Sequence, residues 1–232
     1  MIKNWIRDHV VVWSVHTFFG NDYDATPAKM HVLNRYIDTF TLKNGATFKM
    51  SDNSLFTVGE CLTEYDYSDI RADDIVLDIG ANVGGFSIIA SQKAKKIIAL
   101  EPIFLEELGK NVALNPHSDI TVVKGMLGDP QNQKMGSVSF AGSFAQEVPI
   151  YSFENLLQIS KGRIDFLKCD CEGSEIYLDQ KLLSPIRRIE IELHDLENPK
   201  IQSLKKFICE NWEIRLDKDQ TGKTEIIHAF RK

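Results

Sequence analysis

The chain has 232 residues, 43% hydrophobic and 26% charged, which suits one α/β domain with an extension and excludes a disordered or low-complexity chain. Its formal net charge of −6 argues against a broad nucleic-acid surface, because phosphate binding leans on clustered Lys and Arg. Cys61, Cys169, Cys171 and Cys209 lack the paired spacing of a zinc site and read as reduced core thiols of a cytoplasmic protein.

The apolar run Val10–Trp13 is flanked by Arg7, Asp8, His9 and His16, so it is too short for a membrane span, and no small-residue cleavage site follows. Ile2, Trp5, Ile6 and Val10 share one face of an amphipathic helix that would pack on the domain or form a homodimer contact, with an interfacial membrane helix as the lesser alternative. Thr26-Pro27 opens a second helix bearing Met30, Leu33 and Ile37 on one face. From Phe40 to Met50 apolar and polar residues alternate around Asn44-Gly45, the signature of a hairpin. Residues 1–70 therefore read as an N-terminal appendage of helices and a hairpin, and residues 71–232 as the cofactor-binding domain.

In Val76-Leu77-Asp78-Ile79-Gly80-Ala81-Asn82-Val83-Gly84-Gly85-Phe86-Ser87 a buried strand turns through glycines into an apolar helix. Such a turn lets backbone N–H groups approach a ligand. Lys96–Leu100 is a second apolar run, and it ends in Glu101, where a carboxylate accepts from ribose hydroxyls in units of this kind. The pair predicts a site for an adenosine-containing cofactor. A dinucleotide fingerprint would need glycine at position 82; Asn82 keeps the turn but puts a side chain where a pyrophosphate needs room. S-adenosylmethionine fits better than NAD. Its candidate contacts are Asp78, Gly80, Ala81, Asn82 and Gly84 in the turn, Glu101 at the ribose, and Pro102, Ile103, Met126 and Leu127 around the adenine. Met126 and Leu127 also read as ordinary core.

Leu105, Leu108 and Val112 form a helical stripe that Asn115-Pro116 ends, and strands follow at Ile120–Val123, Ile164–Cys169 and Ile189–Leu193. Asp129–Ala145, rich in Gly, Ser and Gln, reads as a loop. Ile201, Leu204 and Ile208 mark a last helix. Trp212–Leu216 and Glu225–Phe230, joined by a polar turn, should pair as a hairpin. A parallel sheet finishing in an antiparallel strand is the layout of class I methyltransferases, whereas dehydrogenase halves continue βα units.

Asp78-Ile79-Gly80-Ala81-Asn82-Val83-Gly84, together with Ile164-Asp165-Phe166-Leu167-Lys168-Cys169-Asp170-Cys171-Glu172-Gly173-Ser174-Glu175, resembles the FkbM-type methyltransferases. Asp165, Lys168, Asp170, Glu172, Gly173 and Glu175 match that family's fourth-strand pattern. The resemblance spans about residues 58 to 195, and Cys169 and Cys171 stand where aliphatic residues are usual. It implies a Rossmann-like, mostly parallel seven-stranded sheet and S-adenosylmethionine-dependent O-methylation of a hydroxyl on a sugar, glycolipid or secondary metabolite. It also implies an acidic residue and a tyrosine before the first core strand, where Glu60, Tyr65 and Tyr67 lie.

Methyl transfer to a hydroxyl needs two reactants in register and a base for the proton. Asp170, ending the fourth strand, and His194, following the fifth, are the catalytic candidates. Asp170 would otherwise cap a helix starting near Glu172, and His194 would otherwise be a turn residue. Asp170 with Glu192, His194 or Asp195 could also gather Mg²⁺, an arrangement the sequence allows without favouring. The expected acceptor is a small molecule or glycan, chosen by the appendage and the Asp129–Ala145 loop, with no nucleic acid and no membrane span. An NAD-dependent oxidoreductase and a methyltransferase-like binding subunit without turnover are the rivals.

Overall fold

The computed structural model describes residues 38–138, 145–218 and 223–232. The helices expected around Ile2–Val10 and after Thr26, and any homodimer contact they make, lie outside these residues. Among the described residues, no helix is long and apolar enough to cross a membrane.

Strands β1 (Thr39–Thr41) and β2 (Thr47–Lys49) form the hairpin read from the Asn-Gly turn, with Phe40 and Phe48 paired across it and stacked at 5.4 Å. Helix α1 (Asp52–Glu64) follows, started by Ser51, whose hydroxyl accepts from the Ser54 amide. The sequence reading missed this helix. Thr57, Val58, Gly59, Cys61 and Thr63 give it low intrinsic propensity, and it forms because Leu55, Val58 and Cys61 are buried on the core.

The core then runs through β3 (Ile75–Ile79), α2 (Gly85–Ser91), β4 (Lys96–Glu101), α3 (Leu105–Ala113) and β5 (Ile120–Lys124). Short strands β6 (Met126–Leu127), β7 (Met135–Val138) and β8 (Gln146–Tyr151) come next, before α4 (Phe153–Ile159) and β9 (Phe166–Cys169). A 3₁₀ turn at Ser174–Tyr177 and α5 (Gln180–Leu183) lead to β10 (Arg188–Leu193), α6 (Pro199–Asn211), β11 (Trp212–Lys218) and β12 (Glu225–Arg231).

The principal sheet has seven strands in the order β11-β12-β10-β9-β3-β4-β5. The five from β5 to β10 are parallel neighbours, and β12 enters antiparallel between β10 and β11. This is the class I methyltransferase arrangement. Strand β3 sits centrally and is buried on both faces, which is why Ile75–Ile79 reads as a continuous apolar run broken only by Asp78. One face packs Leu77, Leu100, Leu167 and Ile191 against Phe153 of α4 and Ile201, Leu204 and Ile208 of α6. The other packs Val76, Ile97 and Phe166 against α1, α2 and the hairpin. The hairpin is pinned to α3 and the residues after it, because the Lys49 and Thr47 amides donate to Asn111 Oδ1 (2.7 Å) and Asn115 Oδ1 (3.0 Å).

Within the segment read as a loop, Met135–Val138 is instead a strand. It pairs antiparallel with β8, which pairs with β6 in a separate three-stranded sheet. Gly136 and Ser137 carry little β signal; backbone pairing with β8 supplies the order.

Candidate active site

The carboxyl ends of β3, β4 and β9 open into a cavity of about 620 Å³, a size suited to a cofactor or drug-sized ligand. Gly80, Ala81, Asn82, Glu101, Pro102, Ile103, Met126, Leu127 and Asp170 all line it. Asp78 and Gly84, expected at the cofactor, do not line it. Asp78 lies fully buried beneath it, accepting from Ser87 Oγ at 2.7 Å, and Gly84 serves as the left-handed start of α2 at φ 92°. They shape the turn from behind.

Gly80 earns its place by packing rather than by ligand access. At φ 80°, a Cβ there would meet the Asp170 carbonyl oxygen at 1.8 Å, so only glycine lets β3 and β9 end side by side. The Gly80 and Ala81 amides donate to the Leu100 carbonyl, which turns the chain back over β4. Glu101 then ties the parts together. Its carboxylate accepts from the amides of Asn82 (2.8 Å), Ile103 (2.6 Å) and Phe104 (3.0 Å). Burial pushes its carboxyl up, and those three N–H groups with the Lys168 charge oppose it. A carboxylate has roughly four acceptor sites, so about one remains for a ligand hydroxyl. Asn82 Oδ1 is a buried acceptor without a partner on the same wall.

The fourth-strand pattern resolves into separate physical jobs. Asp165 Oδ2 accepts from the Ile75 amide (2.8 Å) and fixes the start of β3. Lys168 lies beside Asp78 in the parallel register, with Nζ 3.3 Å from its carboxylate, 2.8 Å from the Gly80 carbonyl and 3.8 Å from Asp170. Burial would lower the Lys168 ammonium, but the Asp78 and Asp170 charges outweigh it and hold it charged. Glu172 and Gly173 take left-handed backbone at φ 55° and 96°, so no α-helix starts there. Asp170 is therefore not a helix cap; its Oδ2 accepts from Tyr65 Oη at 3.1 Å.

Glu175 is fully buried and accepts from the Cys171 and Gly173 amides. It also faces His194 Nδ1 at 3.1 Å. His194 lies behind Asp170 rather than on the cavity wall. Burial alone would lower its imidazolium; the Glu175 bond and the charges of Glu175, Asp170 and Glu192 instead push it up to about 9. Asp195 turns away and accepts from Asn198 Nδ2. Tyr65 and Glu175 carry no local sign of these contacts, since Tyr65 and Asp170 are 105 positions apart.

Glu60 and Glu64 of α1 line the same cavity. Burial, reinforced by the neighbouring carboxylates Asp170 and Glu192, pushes Glu60 up to about 8 and Glu64 up to about 7. A carboxyl that keeps its proton to pH 8 in the fold, but only to its ordinary value when unfolded, costs stability progressively as pH rises between those limits. Glu60→Gln removes that cost. It is expected to leave the stability near pH 4.5 almost unchanged and to raise it at pH 8 by about 1–2 kcal/mol, below the linkage limit because water reaches the cavity mouth. Urea titrations of both proteins at the two pH values check this; equal stabilities at pH 8 would refute it.

The methyltransferase FkbM domain matches residues 78–215 of the chain, which span the glycine turn, the fourth-strand pattern and the start of the terminal hairpin. The uncharacterized protein MJ1452 of Methanocaldococcus jannaschii is 22% identical over 199 residues, covering 68% of this chain and 74% of that protein. An uncharacterized RNA methyltransferase, OB0768 of Oceanobacillus iheyensis, is 33% identical over 82 residues, which cover 32% of this chain and only 18% of that protein. Among solved structures, an rRNA methylase from Streptococcus thermophilus superposes with a TM-score of 0.50 at 10% identity, covering 71% of this chain and 90% of that one. These matches correct the exclusion of nucleic acid drawn from net charge, and with it the restriction to small-molecule or glycan acceptors. Relatives in fold and in sequence are named for RNA, and a whole-chain charge does not describe a local surface. The matched span covers the whole cavity-forming part of the sheet, and the chain belongs to the FkbM methyltransferase family.

Proposed function

We propose that the cavity binds S-adenosylmethionine and that the protein transfers its methyl group to an acceptor hydroxyl. The observation that carries this reading is the convergence of the Gly80–Asn82 turn, Glu101 and Asp170 on one cavity of about 620 Å³. Glu101 would accept from a ribose hydroxyl with its remaining site, and Ile103, Met126 and Leu127 would flank the adenine. The partnerless Asn82 Oδ1 suits the ammonium of the methionine moiety. Bound there, S-adenosylmethionine supplies an electrophilic methyl group, and the carboxylates around the mouth suit its positive charge.

Asp170 would hold the acceptor hydroxyl and take its proton, with Tyr65 and Lys168 fixing its Oδ2 side. His194, turned by its Nδ1 contact with Glu175, would orient the site rather than act as base. The reading calls for a sugar-type hydroxyl, and the relative named for RNA adds ribose of RNA to the carriers that an acceptor screen must contain.

Isothermal titration with S-adenosylhomocysteine, and separately with NAD, tests the cofactor. Heat from S-adenosylhomocysteine alone is expected. Glu101→Ala should weaken that binding at least tenfold, about 1.4 kcal/mol, and lower stability by about 1–3 kcal/mol because backbone N–H groups lose their acceptor. Unchanged affinity in a folded Glu101→Ala protein would remove the ribose role. Binding of NAD alone would promote the oxidoreductase.

A further inference from the structure

We propose that Asp170, Glu192 and His194 form a binding site for one first-row divalent cation such as Mn²⁺. One ligand atom from each residue lies within 4.8 Å of the others. With metal–ligand bonds of about 2.1–2.4 Å, ligands of one ion sit up to some 4.2–4.8 Å apart, a spacing these three atoms meet. The sheet builds this convergence. Parallel strands β9 and β10 pair through Cys169 and Ile191, so Asp170 leaves one strand end beside Glu192 on the next. Glu192 and His194, two residues apart, point to the same face.

The imidazole is held ready for a cation. Nδ1 faces Glu175 Oε1 at 3.1 Å, and Glu175 is itself buried and fastened by the Cys171 and Gly173 amides. This leaves Nε2 turned toward Glu192 (3.9 Å) and Glu172 (3.6 Å). A carboxylate on one ring nitrogen with the other aimed into acidic space is how metal-binding histidines are oriented. Charge points the same way. Asp170, Glu192, Glu60, Glu64 and Glu172 gather at one mouth, while Lys168 meets Asp170 from the buried side at 3.8 Å.

One imidazole beside two carboxylates departs from the all-oxygen set Mg²⁺ prefers and suits a first-row divalent ion, for which Mn²⁺ is the spectroscopic probe. Three protein ligands leave coordination positions open. If the methyltransferase reading holds, an acceptor hydroxyl in one of them would be oriented and made more acidic. Only that last consequence rests on the reading; the cation site does not.

Mn²⁺ titrated into the full chain, followed by the loss of the free-ion electron paramagnetic resonance signal, tests the site. Saturable binding of one ion per chain is expected. Glu192→Gln and His194→Ala should each weaken it at least ~10-fold, and Glu175→Gln, which only releases the imidazole, by about 10–100-fold. Asp195→Asn should bind as the parent does. S-adenosylhomocysteine binding by the same preparations reports folding and the cofactor reading separately. Cofactor binding without Mn²⁺ binding, or Mn²⁺ affinity unchanged in Glu192→Gln and His194→Ala, overturns the cation site and leaves the cofactor reading intact. Mn²⁺ binding that the variants lose, with no cofactor binding, does the reverse.

Discussion

Asp170→Asn is expected to lower turnover by about a hundred- to ten-thousandfold, the contribution of a positioned proton acceptor, while S-adenosylhomocysteine binds nearly as before. The substitution keeps the shape of the side chain and can still accept from Tyr65 Oη. Lys168 retains Asp78 at 3.3 Å and the Gly80 carbonyl at 2.8 Å, so the strand ends stay together. What is lost is the negative charge at the cavity wall. Single-turnover methyl transfer, once an acceptor is found, separates chemistry from binding. A variant that keeps full turnover would remove Asp170 from the reaction, and one that loses cofactor binding equally would make it a binding residue instead.

Lys168→Met should be the most destabilising substitution among the site residues, at about 3–5 kcal/mol, because it strands a buried carboxylate. Asp78 has no exposed surface, and apart from Ser87 Oγ its countercharge comes from Lys168. Met fills the space of the stem, so little of the loss is cavity. Adding Asp78→Asn should recover a substantial part of it, since the orphaned charge is then gone. Urea unfolding of the parent, both single variants and the double variant closes this cycle. A loss under 1 kcal/mol in Lys168→Met would mean that water or a shifted partner already compensates Asp78.

Several features are written locally. The Gly80 turn, the carboxylate at Glu101 and the Asn44-Gly45 hairpin each reflect a backbone demand that a few adjacent residues satisfy, and β3, β4 and the terminal hairpin follow from apolar runs and a polar turn. Helix α1 was not legible, because its residues are poor helix formers and its apolar face becomes stable only on the core. Strand β7 was not legible either, since Gly136 and Ser137 need β8 to order them.

The roles within the fourth-strand pattern divide the same way. That Asp165, Lys168, Asp170 and Glu175 belong together is visible in the sequence. That Lys168 neutralises Asp78, and that Glu175 turns His194, is not. Charge alone pointed away from nucleic acid, an exclusion that a relative named for RNA removes, because a sum over residues carries no information about where charges lie.

By itself the sequence determined the mostly parallel sheet with its terminal hairpin, the glycine turn and the family, because hydrophobic period, turn chemistry and motif spacing act over a few residues at a time. Only the tertiary structure decided what surrounds Asp170. Tyr65 comes from a helix end and Lys168 from its own strand, and of the three residues the sequence offered after the next strand, Glu192 and His194 meet Asp170 while Asp195 does not, because parallel register aligns the strand ends. Groups so far apart in the chain interact only once the sheet has closed, and the free energy of their meeting is a property of the packed core rather than of any segment.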